Sequence, residues 1–262
     1  MNDTTITNDT TITLVTGANK GIGREIAVQL AALRHTVVIG ARSAELGEKT
    51  AAELRATGAD ATSVVLDVTD PGSAAATAAT IEARYGRLDV LVNNAGVSRP
   101  PGGDLSTQLP RLDLSSQRPR SADLDAIRHI FDTNFFGVIT VTNAVLPLLH
   151  RSTAPRIVNV SSSAGSLALM SDPELPDDHP ISAGYIPSKT ALTALTVQYA
   201  RDLRPDGILV NAVCPGYCAT DLNNHSGHRT PAQGAVAAVR MATIDADGPT
   251  GTFTDDQGPV PW

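Results

Sequence analysis

Cysteine is almost missing from this chain: Cys214 and Cys218 are the only two in 262 residues. No disulfide framework can be built from them, so a reducing compartment is the expected setting. Positive charge is also short. Twenty basic against 27 acidic side chains leave a net charge of −7. Such a surface repels duplex DNA and anionic lipid, and neither nucleic acid nor a membrane is an expected partner. A local basic site for a phosphate stays open. No apolar run approaches the ~20 residues that a membrane-spanning helix needs. The opening MNDTTITNDTTIT has neither the basic nor the apolar stretch of a signal peptide. A cytoplasmic protein is therefore expected.

What is present is an ordinary globular balance, 42% hydrophobic and 18% charged. The hexamer NDTTIT at 2–7 recurs at 8–13 and reads as a polar tail running into a first strand. Flexible residues 1–10 followed by a single domain over 11–262 are the expected organisation.

Within that domain, apolar runs alternate with helical patterns. Strand-like runs lie at 11–16, 36–41, 62–66, 88–92, 156–160 and 208–213. Helical patterns lie at 21–33, 43–57, 71–85, 121–150 and 185–204. Short, almost wholly apolar strands suit a parallel sheet covered on both faces. Their alternation with helices is the signature of a doubly wound α/β fold. Two segments break the rhythm: 98–120, rich in Pro, Gly, Ser and Arg, and 166–184, with three prolines and clustered acids. Both exceed ordinary connections and read as insertions that act as lids or stay disordered.

Residues 16–23 read TGANKGIG, after a strand and at the start of a helix. Glycines there let the backbone turn tightly and approach a pyrophosphate, and the helix N-terminus offers free N–H groups and a positive dipole end. Gly17, Asn19, Lys20, Gly21, Ile22 and Gly23 are thus candidate cofactor contacts. The second strand ends in Ala41 and Arg42, where a carboxylate would bind the 2′-hydroxyl of NAD. An arginine there suits a 2′-phosphate instead, and Lys20 could reach the same group. NADP(H) is the expected cofactor.

Further motifs follow in order: LDV at 66–68, NNAG at 93–96, TNFFG at 133–137, VNVSS at 158–162, YIPSK at 185–189 and CPG at 214–216. This ordered set resembles the short-chain dehydrogenase/reductase family over nearly the whole chain, from about residue 12. GANKGIG, the AR after the second strand, TNFFG, the extra segment before YIPSK and the terminal GPVPW are most similar to its carbonyl-reductase-like branch. The resemblance implies a single-domain Rossmann fold, with a seven-stranded parallel sheet in the order 3-2-1-4-5-6-7. It implies that Asp67 and Val68 meet the adenine and that Asn94, Ala95 and Gly96 pass the adenosine ribose. Pro215, Gly216, Cys218, Ala219 and Thr220 would line the nicotinamide end.

Tyr185 and Lys189 are four apart, which places both on one helix face. A nearby ammonium and an oxidised nicotinamide favour the tyrosinate, so Tyr185 is the expected general acid in reduction and base in oxidation. Lys189 would also hold the nicotinamide ribose. Three serines stand at 161–163; the resemblance selects Ser162 to bind the substrate carbonyl, and Asn134 to hold a water linking Lys189 to solvent. Pro187 should force the helix to begin close to Tyr185.

The expected activity is NADPH-dependent reduction of a ketone or aldehyde on a small molecule. The alternatives are an alcohol or steroid-type dehydrogenase running oxidatively and an idle NADPH-binding regulator. No metal site is expected: CPGYC has the wrong spacing for zinc, and His225 with His228 reads as a polar loop over the cleft. Trp262 is expected to tuck against the domain. Whether the protein is a monomer or a homo-oligomer stays open.

Overall fold

The computed structural model describes residues 10–100, 117–176 and 179–262. The tail to residue 9, most of the first insertion and two residues of the second lie outside them. Seven strands form one sheet: β1 (Ile12–Thr16), β2 (Thr36–Ala41), β3 (Ala61–Val65), β4 (Val90–Asn93), β5 (Arg156–Val160), β6 (Leu209–Val213) and β7 (Phe253–Thr254). Their spatial order is β3-β2-β1-β4-β5-β6-β7, and every pairing is parallel. This is the Rossmann-type order. The apolar runs predicted six of these strands. β7 is only two residues long, too short for any periodicity to register.

Parallel strands need crossovers, and the helices supply them: α1 (Gly21–Ala32), α2 (Ala44–Ala56), α3 (Pro71–Tyr85), α4 (Leu124–Phe131), α5 (Gly137–Leu149), α6 (Leu167–Met170), α7 (Tyr185–Asp202) and α8 (Pro231–Ala242). Successive strand residues point to opposite faces, and the core divides accordingly. Val15, Val37, Ile39, Val92 and Val213 pack with Ile26, Leu30 and Met241 on the side of α1 and α8. Leu14, Val38, Leu91, Ile157 and Val210 pack with Ile81, Val145 and Ala200 on the side of α3, α5 and α7. β1, β2, β4, β5 and β6 are buried along their whole length, whereas β3, at the edge, is only partly so.

The helix expected over 121–150 is present from Leu124 to Leu149, with a π turn inside it. Asp123 accepts the N–H groups of Asp125 and Ala126 and so starts α4 at Leu124. Asp132–Phe136 then forms a π turn before α5. Such a turn carries one extra residue per bond, and here it turns Asn134 fully into the interior. α8 escaped the hydrophobic pattern because its buried face is made of Gly234, Ala235, Ala237 and Ala238. Its start was nonetheless legible, since Thr230 and Gln233 form a reciprocal capping box before Pro231.

Under the C-terminal ends of the central strands runs a buried polar ladder. Asn93 Nδ2 donates to Asn159 Oδ1 at 2.9 Å and to Thr142 Oγ1 at 3.2 Å. Asn159 Nδ2 donates to Thr196 Oγ1 at 2.9 Å. The ladder joins β4 and β5 to α5 and α7 and fixes α7 on the sheet. Asn159→Ala takes one buried hydrogen-bond partner each from Asn93 and Thr196, which keep only Thr142 and the Leu192 carbonyl. It should lower stability by about 2–4 kcal/mol, read as a lower midpoint in urea unfolding.

Candidate active site

β1 pairs with β2 on one side and β4 on the other. The crossovers therefore diverge beyond the ends of β1 and β4, which is where a doubly wound sheet opens a crevice. A cleft of about 1850 Å³ occupies that position. The two lips are stitched together by Thr16 and Asn94. Thr16 Oγ1 accepts the N–H groups of Asn94 at 3.0 Å and Ala95 at 2.9 Å, while Asn94 Nδ2 donates to the Thr16 carbonyl at 2.9 Å. This contact leaves no room at Gly23, where a Cβ would lie 2.3 Å from Asn94 Nδ2 and 2.5 Å from the Gly17 carbonyl. Gly17 itself has φ +64°, a conformation that side-chain-bearing residues rarely adopt.

Every residue expected to touch the cofactor lines this cleft. Gly17, Asn19, Lys20, Gly21, Ile22 and Gly23 form the loop at the start of α1. That helix has no side-chain cap and no acid in its first turn, so its first N–H groups are available to an anion. Arg42 projects from the end of β2, exposed, with no hydrogen bond or ion pair among the described residues. Asp67 and Val68 follow β3. Burial pushes the Asp67 carboxyl up, but hydrogen bonds from Thr69 and the charge of Arg42 outweigh it and hold the group below the usual carboxylate range. These features fit a dinucleotide.

Lys20 also makes a contact that the sequence did not reveal. Its ammonium lies 2.6 Å from Asp221, which also takes a hydrogen bond of 2.9 Å from His225. The pair joins the glycine loop to the segment after β6, a long-range contact that sequence spacing could not reveal. That segment also carries Pro215, Gly216, Cys218, Ala219 and Thr220 into the cleft. The Cys218 thiol points away, donating to the Pro215 carbonyl at 3.2 Å and packing against Gly234 of α8. Asn223 holds the turn by donating to the Cys218 carbonyl at 2.8 Å and accepting from Thr220 N–H.

Ser162, Tyr185 and Lys189 converge on the same cleft. The serine triplet separates by geometry. Ser161 is buried and donates to the Lys189 carbonyl at 3.2 Å, and Ser163 N–H donates to the Cys214 sulfur at 3.1 Å. Ser162 accepts the Ala164 N–H at 3.2 Å and is the one whose hydroxyl acts on Tyr185, favouring the tyrosinate. Lys189 donates to the Val160 carbonyl at 2.9 Å, and its Nζ stands 5.9 Å from the centre of the Tyr185 ring. Asn134 lies behind them. Its Oδ1 accepts Val97 N–H at 2.8 Å, and its Nδ2 donates to the Val97 carbonyl at 2.9 Å and to Ser188 Oγ at 3.0 Å. It braces the strand extension beside Lys189.

The expectation that Lys189 lowers the Tyr185 pKa is not what dominates in the cofactor-free protein. Burial pushes the Tyr185 hydroxyl up to about 12, with the Ser162 hydrogen bond pulling the other way. Burial likewise pulls the Lys189 ammonium down to about 8, since a charge deep in the protein loses its hydration.

α7 does begin at Tyr185, as Pro187 requires. Sequence reasoning missed Thr16, Asn223 and the fully buried Gln117, which accepts the Tyr185 N–H at 2.9 Å. Thr16 opens the glycine motif, and its place before the first glycine was a signal. Gln117 sits in a polar run with nothing local to distinguish it.

The family model for short chain dehydrogenases matches residues 11–230. This chain belongs to the short-chain dehydrogenase/reductase family. It is 33% identical to short-chain dehydrogenase/reductase 1 of Saponaria officinalis, with 92% of each chain covered. It is also 33% identical to (−)-isopiperitenone reductase of Mentha piperita, over 92% of this chain and 94% of that one. The solved structure of salutaridine reductase from Papaver somniferum superposes with a TM-score of 0.77 at 31% identity, covering 94% of this chain and 99% of the other. The family binds a nicotinamide cofactor and acts on small molecules, and this member is accordingly an oxidoreductase.

The depressed Lys189 value is directly measurable, because the chain has only three lysines, Lys20, Lys49 and Lys189. In a ¹³C-lysine NMR titration of the cofactor-free protein, one Cε resonance should titrate near pH 8. The absence of any Cε resonance that titrates near pH 8 would contradict the burial argument.

Proposed function

We propose that this short-chain dehydrogenase/reductase reduces a ketone or aldehyde on a small, largely apolar substrate to the alcohol, using NADPH. The observation that carries this reading is the convergence of Ser162, Tyr185 and Lys189 in a cleft whose other end has Arg42, and no carboxylate, at the close of β2. Among the described residues Arg42 has no hydrogen bond or ion pair to give up for a 2′-phosphate. Lys20 would exchange Asp221 for a phosphate. The glycine loop and the uncapped start of α1 would hold the pyrophosphate, and Lys189 would hold the nicotinamide ribose.

Bound NADPH supplies a hydride to the carbonyl carbon. The protein's own part is to hold the carbonyl and deliver a proton. Ser162 donates a hydrogen bond to the carbonyl oxygen, and Tyr185 transfers its phenolic proton to that oxygen as the alcohol forms. Burial keeps Tyr185 protonated at neutral pH, the state a proton donor needs. Asn134 spends most of its amide on Val97 and Ser188 and leaves one lone pair of Oδ1 for a water in a proton path from Lys189. Met170, Ile181, Ile186, Tyr217 and Leu222 line the same cleft and suit an apolar substrate body. An idle cofactor-binding regulator gains nothing from this converging set.

Loss of NADPH absorbance with a panel of apolar ketones and aldehydes, run in parallel with NADH, tests the reading. Tyr185→Phe should lower kcat by about 10²–10⁴-fold, the usual worth of a positioned acid, while NADPH affinity stays within about twofold. Retained turnover would remove Tyr185 from the chemistry. Arg42→Ala should weaken NADPH binding by about tenfold or more, as expected for loss of a charge-assisted pair, and leave NADH binding unchanged. Equal losses for both cofactors would overturn the NADP assignment.

A further inference from the structure

The segments on either side of the cleft that interrupt the βα rhythm meet at one side chain, Gln117. It is fully buried, and both ends of its carboxamide are used. Nε2 donates to the Ser98 carbonyl at 2.6 Å. Oε1 accepts the Tyr185 N–H at 2.9 Å and the Ser182 hydroxyl. The main-chain carbonyl of Gln117 takes the Ala183 N–H at 2.7 Å. Ser182 closes the arrangement, its Oγ accepting Tyr185 N–H at 2.8 Å and Gly184 N–H at 3.0 Å.

α7 needs such help at its first residue. A helix leaves its first N–H groups without internal partners, and Gly184, at the cap position, has no side chain to offer. Pro187 lies in the first turn, where its missing N–H breaks no helical hydrogen bond. Tyr185 is the first helical residue, with no preceding turn to set its direction. Anything that holds its backbone must come from outside the helix. The fit is close: a Cβ at Gly184 would lie 2.8 Å from Gln117 Oε1 and 2.9 Å from Ile130 Cδ1. At its other end Gln117 grips Ser98, one residue beyond Val97, which Asn134 clamps beside Lys189.

We infer that Gln117 is a positioning residue for Tyr185, tying the backbone of the proton donor to the strand extension that runs past Lys189. The inference rests on the role of Tyr185 proposed above. Misplacing a reacting group by about 1 Å can cost about 10²-fold in rate, so a clamp at this point acts on turnover rather than on binding.

The test compares steady-state kinetics and NADPH affinity for Gln117→Leu, Ser182→Ala, the double variant and Tyr185→Phe. Gln117→Leu should lower kcat by about 10–100-fold, with KM and NADPH affinity within about threefold of the parent. Ser182→Ala should lose kcat in the same direction but less. The double variant should be no worse than Gln117→Leu, because both residues act through one N–H and such effects do not add. A merely structural role would lower the melting temperature and move KM and cofactor affinity with kcat. That pattern, or losses that multiply in the double variant, would overturn the inference. If Gln117→Leu does not fold, Ser182→Ala decides alone, and an unchanged kcat overturns it. Turnover surviving in Tyr185→Phe would bring down the reading of Tyr185 and this inference together. An inactive Tyr185→Phe beside a fully active Gln117→Leu would bring down this inference only.

Discussion

The contact between Thr16 and Asn94 is the constraint on which the site depends. β1 and β4 are neighbours in the sheet but far apart in sequence, and their following loops diverge to opposite sides. One hydroxyl and one carboxamide hold those loops against each other. Because the approach is so close, Gly17 and Gly23 have no space for side chains, and the start of α1 is left bare toward the cleft. On the other lip, the same stitching sets the course of Gly96 and Val97, which Asn134 then clamps from behind.

A second constraint is electrostatic. The cleft holds a phenol and an ammonium that burial drives in opposite directions, the first up to about 12 and the second down to about 8. Both shifts favour the neutral forms, the expected result of removing water from two ionisable groups that have little charge nearby to compensate. The free protein thus stores a protonated tyrosine beside a lysine that gives up its proton easily. Negative charge entering the cleft would favour the ammonium again, so the state of this pair depends on what is bound.

The loops above the sheet are held by long-range polar contacts rather than by apolar packing. Lys20 reaches Asp221, Ser98 reaches the Leu222 carbonyl, and Arg99 reaches Asn224. The segment after β6 is thereby strapped to both lips of the cleft. Of these, the exposed Lys20–Asp221 ion pair contributes little stability and can exchange partners readily. The segment after β7 packs on α6, where the Trp262 carbonyl accepts the Ala168 N–H at 2.7 Å while its half-exposed ring leans on Phe253.

Motif and periodicity carried much of this in one dimension. The βα alternation, the parallel sheet, the glycine loop and the i, i+4 spacing of Tyr185 and Lys189 are local signals, since each is written in residues a few positions apart. The start of α7 was legible for the same reason, because Pro187 restricts its own helix. The π turn at Asn134 was not legible, because such a turn has no distinct composition and its Asn134 is held by Val97, 37 residues away. The different partners of the three serines, the pairing of Lys20 with Asp221 and the burial of Gln117 against Tyr185 were likewise decided by tertiary structure. Each depends on partners brought together across dozens to hundreds of residues, and on burial that raises the cost of an unmade bond. The sequence by itself determined which elements form and which chemical groups are available; the packed fold decided which of those groups face one another and how far each is removed from water.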